Sequence, residues 1–232
     1  SSALGLALAA GGANAQAEKP QYGGTLEVGT VYVTLSALSF DPADWNWKLN
    51  HDTGQFYGQL FAADLSKSKR NGGKYPFYAD AWLPSDAIRG ELAEKWVWSD
   101  NPLQLTIELR KGVMFPEKPG VMKERELTAE DVAFAFNRLA TSPKKIAGYF
   151  DHVEKVEATG KYTVVFTFKY FNAEWDYRFG WGYYSTITPK EVADAGATNW
   201  KNVNGTGPFV LSDFVQGSSN TYSKNSIYWD KE

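Results

Sequence analysis

Cysteine is absent from the 232 residues. That excludes disulfides, thiol nucleophiles and thiolate metal sites, but it leaves the compartment open, because an exported protein can do without disulfides. Histidine is almost absent too. His51 and His152 are the only two, about a hundred residues apart, and neither has a metal-ligand spacing or a nucleophile motif beside it. Each reads as a polar surface or loop residue, so no catalytic residue, metal site or cofactor is assigned. An excess of either charge is also lacking. Lys and Arg total 24 against 27 Asp and Glu, a net charge of -3, which gives no electrostatic reason to expect nucleic acid or an anionic membrane as partner. Nor is there an apolar run long enough to cross about 30 Å of hydrocarbon. The longest, residues 3–10, is too short and too rich in Ala and Gly.

That short run has another reading. Ala3-Leu4-Gly5-Leu6-Ala7-Leu8-Ala9-Ala10 followed by Ala15-Gln16-Ala17 has the form of the second half of a secretory signal peptide, with small residues where signal peptidase needs them. Cleavage is expected before Glu18, releasing a periplasmic protein that is at most peripheral to the membrane. With 43% hydrophobic and 16% aromatic residues, the mature chain has enough apolar surface to build packed domains.

Periodicity locates the elements. Residues 25–32, after Gly23-Gly24, read as a first strand with Leu26 and Val28 on one face. Residues 103–110 alternate aliphatic and polar without a break, as a half-buried antiparallel strand requires, with Leu105 and Ile107 inward. Residues 161–169 repeat the pattern with Tyr162, Val164, Phe166 and Phe168 inward, a partner in the same sheet. Between them, Thr128-Ala129-Glu130-Asp131 starts a helix whose buried stripe is Val132, Ala135, Phe136 and Leu139, and Pro143 ends it. Thr188-Pro189-Lys190-Glu191 signals a second, short helix through a capping box, with Gly196 as its stop. Residues 207–229 read as a hairpin or strand pair, and residues 67–73 as a solvated loop. The class is α/β, in the mixed α+β sense.

Three segments in order carry a resemblance. The first runs from Glu91-Leu92-Ala93-Glu94-Lys95-Trp96 through Leu109-Arg110-Lys111-Gly112-Val113-Met114-Phe115 into Leu127-Thr128-Ala129-Glu130-Asp131-Val132-Ala133-Phe134-Ala135-Phe136. The second is the strand at residues 161–169, preceded by Val153-Glu154-Lys155-Val156-Glu157-Ala158. The third is Gly205-Thr206-Gly207-Pro208-Phe209-Val210-Leu211 followed by Asn225-Ser226-Ile227-Tyr228-Trp229. Together these resemble family 5 of the extracellular solute-binding proteins of ABC transporters, the dipeptide, oligopeptide and nickel class.

The resemblance implies a two-lobed periplasmic binding protein-like fold that closes on its ligand, with only the first lobe in this chain. It further implies a signal-peptide remnant at 1–17, a main sheet at 18–45 and 184–232, and an inserted subdomain at 46–183 with Trp96 in its core. The second lobe is expected to lie beyond residue 232. A longer charged loop, residues 115–126, departs from relatives and is expected to be surface without function.

Acid pairs such as Glu91 with Glu94, or Glu124 with Glu126, raise the alternative of a secreted carbohydrate-active enzyme, but solvated faces explain them better. Gly205-Thr206-Gly207-Pro208 is a turn rather than a phosphate loop, since Pro removes an amide donor and no Lys follows. The aromatics are the stronger signal. Nine Trp, 13 Tyr and 14 Phe concentrate around Trp45-Asn46-Trp47 and from Trp175 to Tyr184, where the Gly flanking Trp181 would leave room for close approach. The candidate ligand-binding residues are Tyr32, Trp45, Trp47, Trp181, Tyr183 and Tyr184. The reading is a monomeric solute-binding component that captures a peptide or oligosaccharide between lobes and delivers it to the permease subunits of an ABC importer.

Overall fold

The computed structural model describes residues 23–29, 39–44, 48, 52–77 and 83–231. The chain divides into two compact units, Ser1–Val31 and Tyr32–Glu232. In the first, residues 25–29 pair with no strand, and Leu26 and Val28 are 87% and 73% exposed. The strand expected at 25–32 is therefore missing from its described part. Alternation supplies a face, but a strand also needs a neighbouring edge for its N–H and C=O groups. The signal-like residues 1–17 lie outside the described residues, as do 30–32.

In the second unit, β1 (Phe61–Ala63) pairs antiparallel with β2 (Ile88–Gly90). Then come β3 (Ala93–Asp100), β4 (Leu103–Leu109), the two-residue strands β5 (Met114–Phe115) and β6 (Arg125–Glu126), helix α1 (Ala129–Thr141), β7 (Val153–Ala158) and β8 (Thr163–Phe168). Helix α2 (Lys190–Ala195) and the hairpin of β9 (Phe209–Val215) and β10 (Ser219–Lys224) follow. Strands β3, β4, β8 and β7 form one antiparallel sheet in that order. Leu105 lies opposite Phe166 and Ile107 opposite Val164, and all four are fully buried. A one-residue slip would turn every one of them to solvent, so this alternation fixes the register.

Helix α1 closes the inner face. Val132, Ala135, Phe136 and Leu139 are buried, and Phe136 meets Phe166 edge-on at 5.1 Å. Its start is held by a reciprocal cap in which the Asp131 carboxylate accepts the Thr128 N–H at 2.9 Å. Burying each such aliphatic or aromatic side chain stabilises the fold by about 1.5–3 kcal/mol.

Helix α2 differs from expectation at its start. Pro189 is the N-cap, and the Glu191 carboxylate does not turn back to cap the helix but accepts from Arg125 through Nε and Nη2, both at 2.7 Å. Arg125 also binds Asp131 bidentately, at 2.9 and 2.7 Å, and lies over the Phe115 ring. A charge-assisted fork outcompetes a capping bond to a neutral amide. The loop expected to be idle surface thus supplies the residue that ties β6 to both helices. Arg125 is held strongly protonated, chiefly by Asp131 and then by Glu191, and Glu191 is held ionised by Arg125.

Trp96, expected at the centre of the core, is only half-buried. It stands on β3, at the sheet's edge, and meets Phe61 edge-on at 4.9 Å. His152, expected at the surface, is 1% exposed. Its ring stacks on Phe168 at 5.7 Å and 11°, and neither ring nitrogen has a hydrogen-bond partner among the described residues. Sequence spacing says nothing about a lone histidine's neighbours, and here three aromatic rings surround it. Burial, then the positive charge of Arg178, pushes its pKa down to about 4, so it is a neutral core residue near pH 7.

A second, smaller core gathers Phe40, Phe56, Tyr57, Val203 and Leu211. It is sewn by close backbone approach, because the Phe56 C=O accepts the Gly207 N–H at 2.8 Å and the Gln55 C=O accepts the Phe209 N–H at 3.1 Å. A Cβ at Gly205 would lie 2.2 Å from the Phe56 oxygen, so no other residue fits there. This is the turn expected at 205–208. Among the described residues no helix is long and apolar enough to cross a membrane.

Candidate functional site

The aromatic segment 175–184 folds as a π-helical turn over Tyr177–Trp181, with the Asp176 carboxylate accepting the Tyr177 N–H at 2.8 Å. Such turns are rare and recur at functional sites because the extra residue re-aims the side chains. Here it separates an inner set from an outer one. Inward, Phe179 is fully buried against Phe166 at 4.9 Å and Phe136 at 5.6 Å, and Trp175 meets Phe61 and Trp98 edge-on.

The glycines explain the tight fit. A Cβ at Gly180 would lie 2.9 Å from Phe61 Cβ, and one at Gly182 would lie 2.6 Å from the Tyr177 carbonyl oxygen. The space expected to admit a ligand is thus filled by the protein itself, and both glycines serve internal packing.

Outward, Trp181 and Tyr183 are half-buried, as is Tyr177. The Tyr177 ring stands edge-on to Trp181 at 6.2 Å and to Tyr183 at 6.4 Å. Arg178, within the same turn, ties it to Glu174 and Tyr149. It donates to Glu174 at 2.9 and 2.7 Å and to the Tyr149 carbonyl, and its guanidinium covers the Tyr149 ring at 4.5 Å. The result is a platform of three half-buried amphipathic rings, of which Trp181 and Tyr183 also pack against the main core.

Of the six expected contact residues, the structure brings Trp181 and Tyr183 together on this platform. Tyr184 does not join them. It is 1% exposed, accepts the Ile146 N–H at 2.8 Å and packs against Tyr149 at 4.8 Å, so its ring presents no face to a solute and acts in packing. Tyr32, Trp45 and Trp47 lie outside the described residues. Tyr177 was not singled out from sequence. Its role depends on the π-turn, for which the only signal was the density of rings around two glycines.

Lys48, which follows Trp47 in sequence, is 1% exposed. Its ammonium lies 3.5 Å from an Asp52 oxygen and 3.8 Å above the Phe40 ring. Burial lowers its pKa below the ordinary lysine value, and Asp52 opposes that shift. Of the carboxylates weighed as acid–base pairs, Glu126 and Glu91 are engaged elsewhere. Glu126 is held down to about 2 by Lys161, then by the Gly112 N–H and by Tyr162, so it cannot donate a proton near neutrality. Glu91 accepts the Tyr228 hydroxyl at 3.1 Å and pairs with Arg89.

The functional-site region is thus an antiparallel sheet covered by α1, with an aromatic π-turn packed against it. Comparison with known proteins identifies the family. Residues 87–232 match the model of bacterial extracellular solute-binding proteins, family 5 (its middle region), and the chain belongs to this family.

Among relatives, it is 26% identical to di/tripeptide-binding protein 1 of Pseudomonas aeruginosa over 84% of this chain and 36% of that protein. It is 31% identical to the dipeptide-binding protein of Escherichia coli over 75% of this chain and 36% of that one. Among solved structures, the periplasmic binding protein DppA of Helicobacter pylori, in complex with a peptide, superposes with a TM-score of 0.62 at 26% identity, covering 84% of this chain and 38% of that one. MoaA of A. tumefaciens R10, in complex with mannopinic acid, gives a TM-score of 0.65 at 22% identity over 83% and 36%. The chain thus spans little more than a third of these relatives, and its fold is part of the periplasmic binding protein fold.

Proposed function

We propose that this chain is the first-lobe part of the solute-binding component of an ABC importer, which takes up a peptide in the periplasm and presents it to the permease. The observation that carries the reading is the family match over residues 87–232, which includes the sheet, both helices and the aromatic platform. Peptide is favoured over oligosaccharide because the relatives just described bind peptides by name. The ring-rich platform and the mannopinic acid in one structural neighbour keep a sugar-derived solute as the second reading.

In this proposal residues 18–45 and 184–232 belong to the main sheet of lobe one, residues 46–183 form the insertion, and export removes residues 1–17. The solute bridges the two lobes and favours the closed form by its differential affinity, so no bond is made or broken. Tyr177, Trp181 and Tyr183 contact it from this lobe. A single lobe encloses little of its ligand, so the isolated chain binds weakly.

Intrinsic fluorescence of the chain, titrated with di- and tripeptides and separately with raffinose, tests this. The expected result is a weak saturable change with peptides that Trp181→Ala abolishes while the circular dichroism spectrum is retained. A response to raffinose alone would favour the sugar. Peptide binding unchanged in Trp181→Ala would remove the platform from the site.

A further inference from the structure

Apart from the aromatic platform, the surface carries a groove of about 590 Å³ lined by Glu94, Arg110, Lys111, Tyr228, Trp229 and Lys231, among others. Its size falls within the range of small-molecule sites, about 300–1,000 Å³. Its lining holds three cations and one carboxylate. Two further acids lie close by: Glu91, engaged by Arg89 and the Tyr228 hydroxyl, and Asp230, whose charge acts on Tyr228.

Arg110 is positioned for recognition rather than left loose. Its Nε donates to the Glu91 carbonyl at 3.1 Å, and its guanidinium carbon lies 4.2 Å from the centroid of the Trp229 ring. These two contacts fix the plane of the fork. Its terminal nitrogens donate to no other group among the described residues, and the flanking Lys111 and Lys231 are exposed, Lys111 lying 5.6 Å from the centroid of the Tyr162 ring. A guanidinium braced on an indole, with its fork unused, matches the two oxygens of a carboxylate, and the two ammoniums add longer-range attraction.

We infer that this groove is a second binding site, separate from the aromatic platform, for a small organic anion carrying carboxylates. Glu94 at the groove favours ligands that keep a donor or a positive group beside the carboxylate, and the net attraction weakens as salt screens it.

The test is isothermal titration of the full chain with succinate at low ionic strength, with inorganic phosphate as the comparison anion. Saturable succinate binding is expected, weakened about tenfold or more in Arg110→Gln, and also weakened in Arg110→Lys, which keeps the charge but loses the fork. The Lys111→Gln/Lys231→Gln double variant should bind succinate more weakly and with a shallower salt dependence. Trp181→Ala should leave succinate binding intact, which separates this site from the platform. The inference is overturned if succinate gives no saturable heat, if Arg110→Lys and the lysine double variant both bind it as the parent does, or if phosphate binds at least as tightly as succinate.

Discussion

The four-stranded sheet and the β9–β10 hairpin are both antiparallel and both were read as β structure, yet they are held in different ways. In the sheet, α1 covers one face and the alternation is fully used, with Leu105, Ile107, Val164 and Phe166 all buried. In the hairpin only Leu211 is buried, while Phe209 and Val215 are 41% and 48% exposed. Two strands with one solvated face are marginal by themselves. The hairpin is instead fastened by side-chain hydrogen bonds, Asn220 donating to Asp52 at 2.9 Å and the Tyr222 hydroxyl to the Asp52 carbonyl at 2.8 Å. The same local pattern thus has different worth depending on what covers it.

The sharpest way to break the comparison is truncation in the covered face. Phe166→Ala should cost about 3–5 kcal/mol in denaturant unfolding, because the rings of Phe136 and Phe179 cannot collapse into the gap. A cost below about 1 kcal/mol would mean that the sheet's inner face is not close-packed.

The second test uses pH. His152 has a folded pKa of about 4 against an ordinary value near 6.5, so the unfolded chain binds the extra proton between those values. Its contribution is complete above about pH 6.5 and is lost as pH falls toward 4, a drop on the order of 2–3 kcal/mol. His152→Phe should remove that slope, which urea unfolding at pH 7 and pH 5 would show. An unchanged slope would place the titration in another group.

Third in size is the charged hub. Arg125→Gln leaves Asp131 and Glu191 facing each other without their cation, and because Arg125 is partly solvated the expected loss is about 1–2 kcal/mol. High salt should shrink that difference. The smallest effect should come from the uncovered hairpin face, where Val215→Thr is expected to change stability by less than about 0.5 kcal/mol.

How much of this was legible in the sequence follows from the range of each signal. Strand alternation at 103–109 and 163–168, the α1 stripe and its Thr128 start are local, so the residues alone locate them. The partner of a side chain is not local. His152 has no neighbour in sequence that announces Phe168, and Arg125 lies 66 residues from Glu191, so one residue read as surface and the other as idle charge. At the candidate site the density of rings was legible and brought out Trp181 and Tyr183. The π-turn that sorts inner from outer rings was not, so Tyr184 was wrongly grouped with its neighbours and Tyr177 was overlooked. The glycines beside Trp181 were visible as glycines, but what fills the space beside them is a matter of tertiary packing by Phe61.

The bonds from Asn220 and Tyr222 to Asp52 join residues 168 and 170 positions apart. Loop closure over such distances is entropically costly and has to come before the contact rewards it. The small core around Phe56 and Leu211 should therefore assemble after the helix and the β7–β8 ribbon, as a late docking of the hairpin. In stopped-flow kinetics, Leu211→Ala should speed unfolding and leave the folding rate nearly unchanged, whereas Phe136→Ala should slow folding. The segment that closes the chain on itself would then also be the first to open, which makes the β9–β10 hairpin the expected point of entry for a protease acting on the native protein.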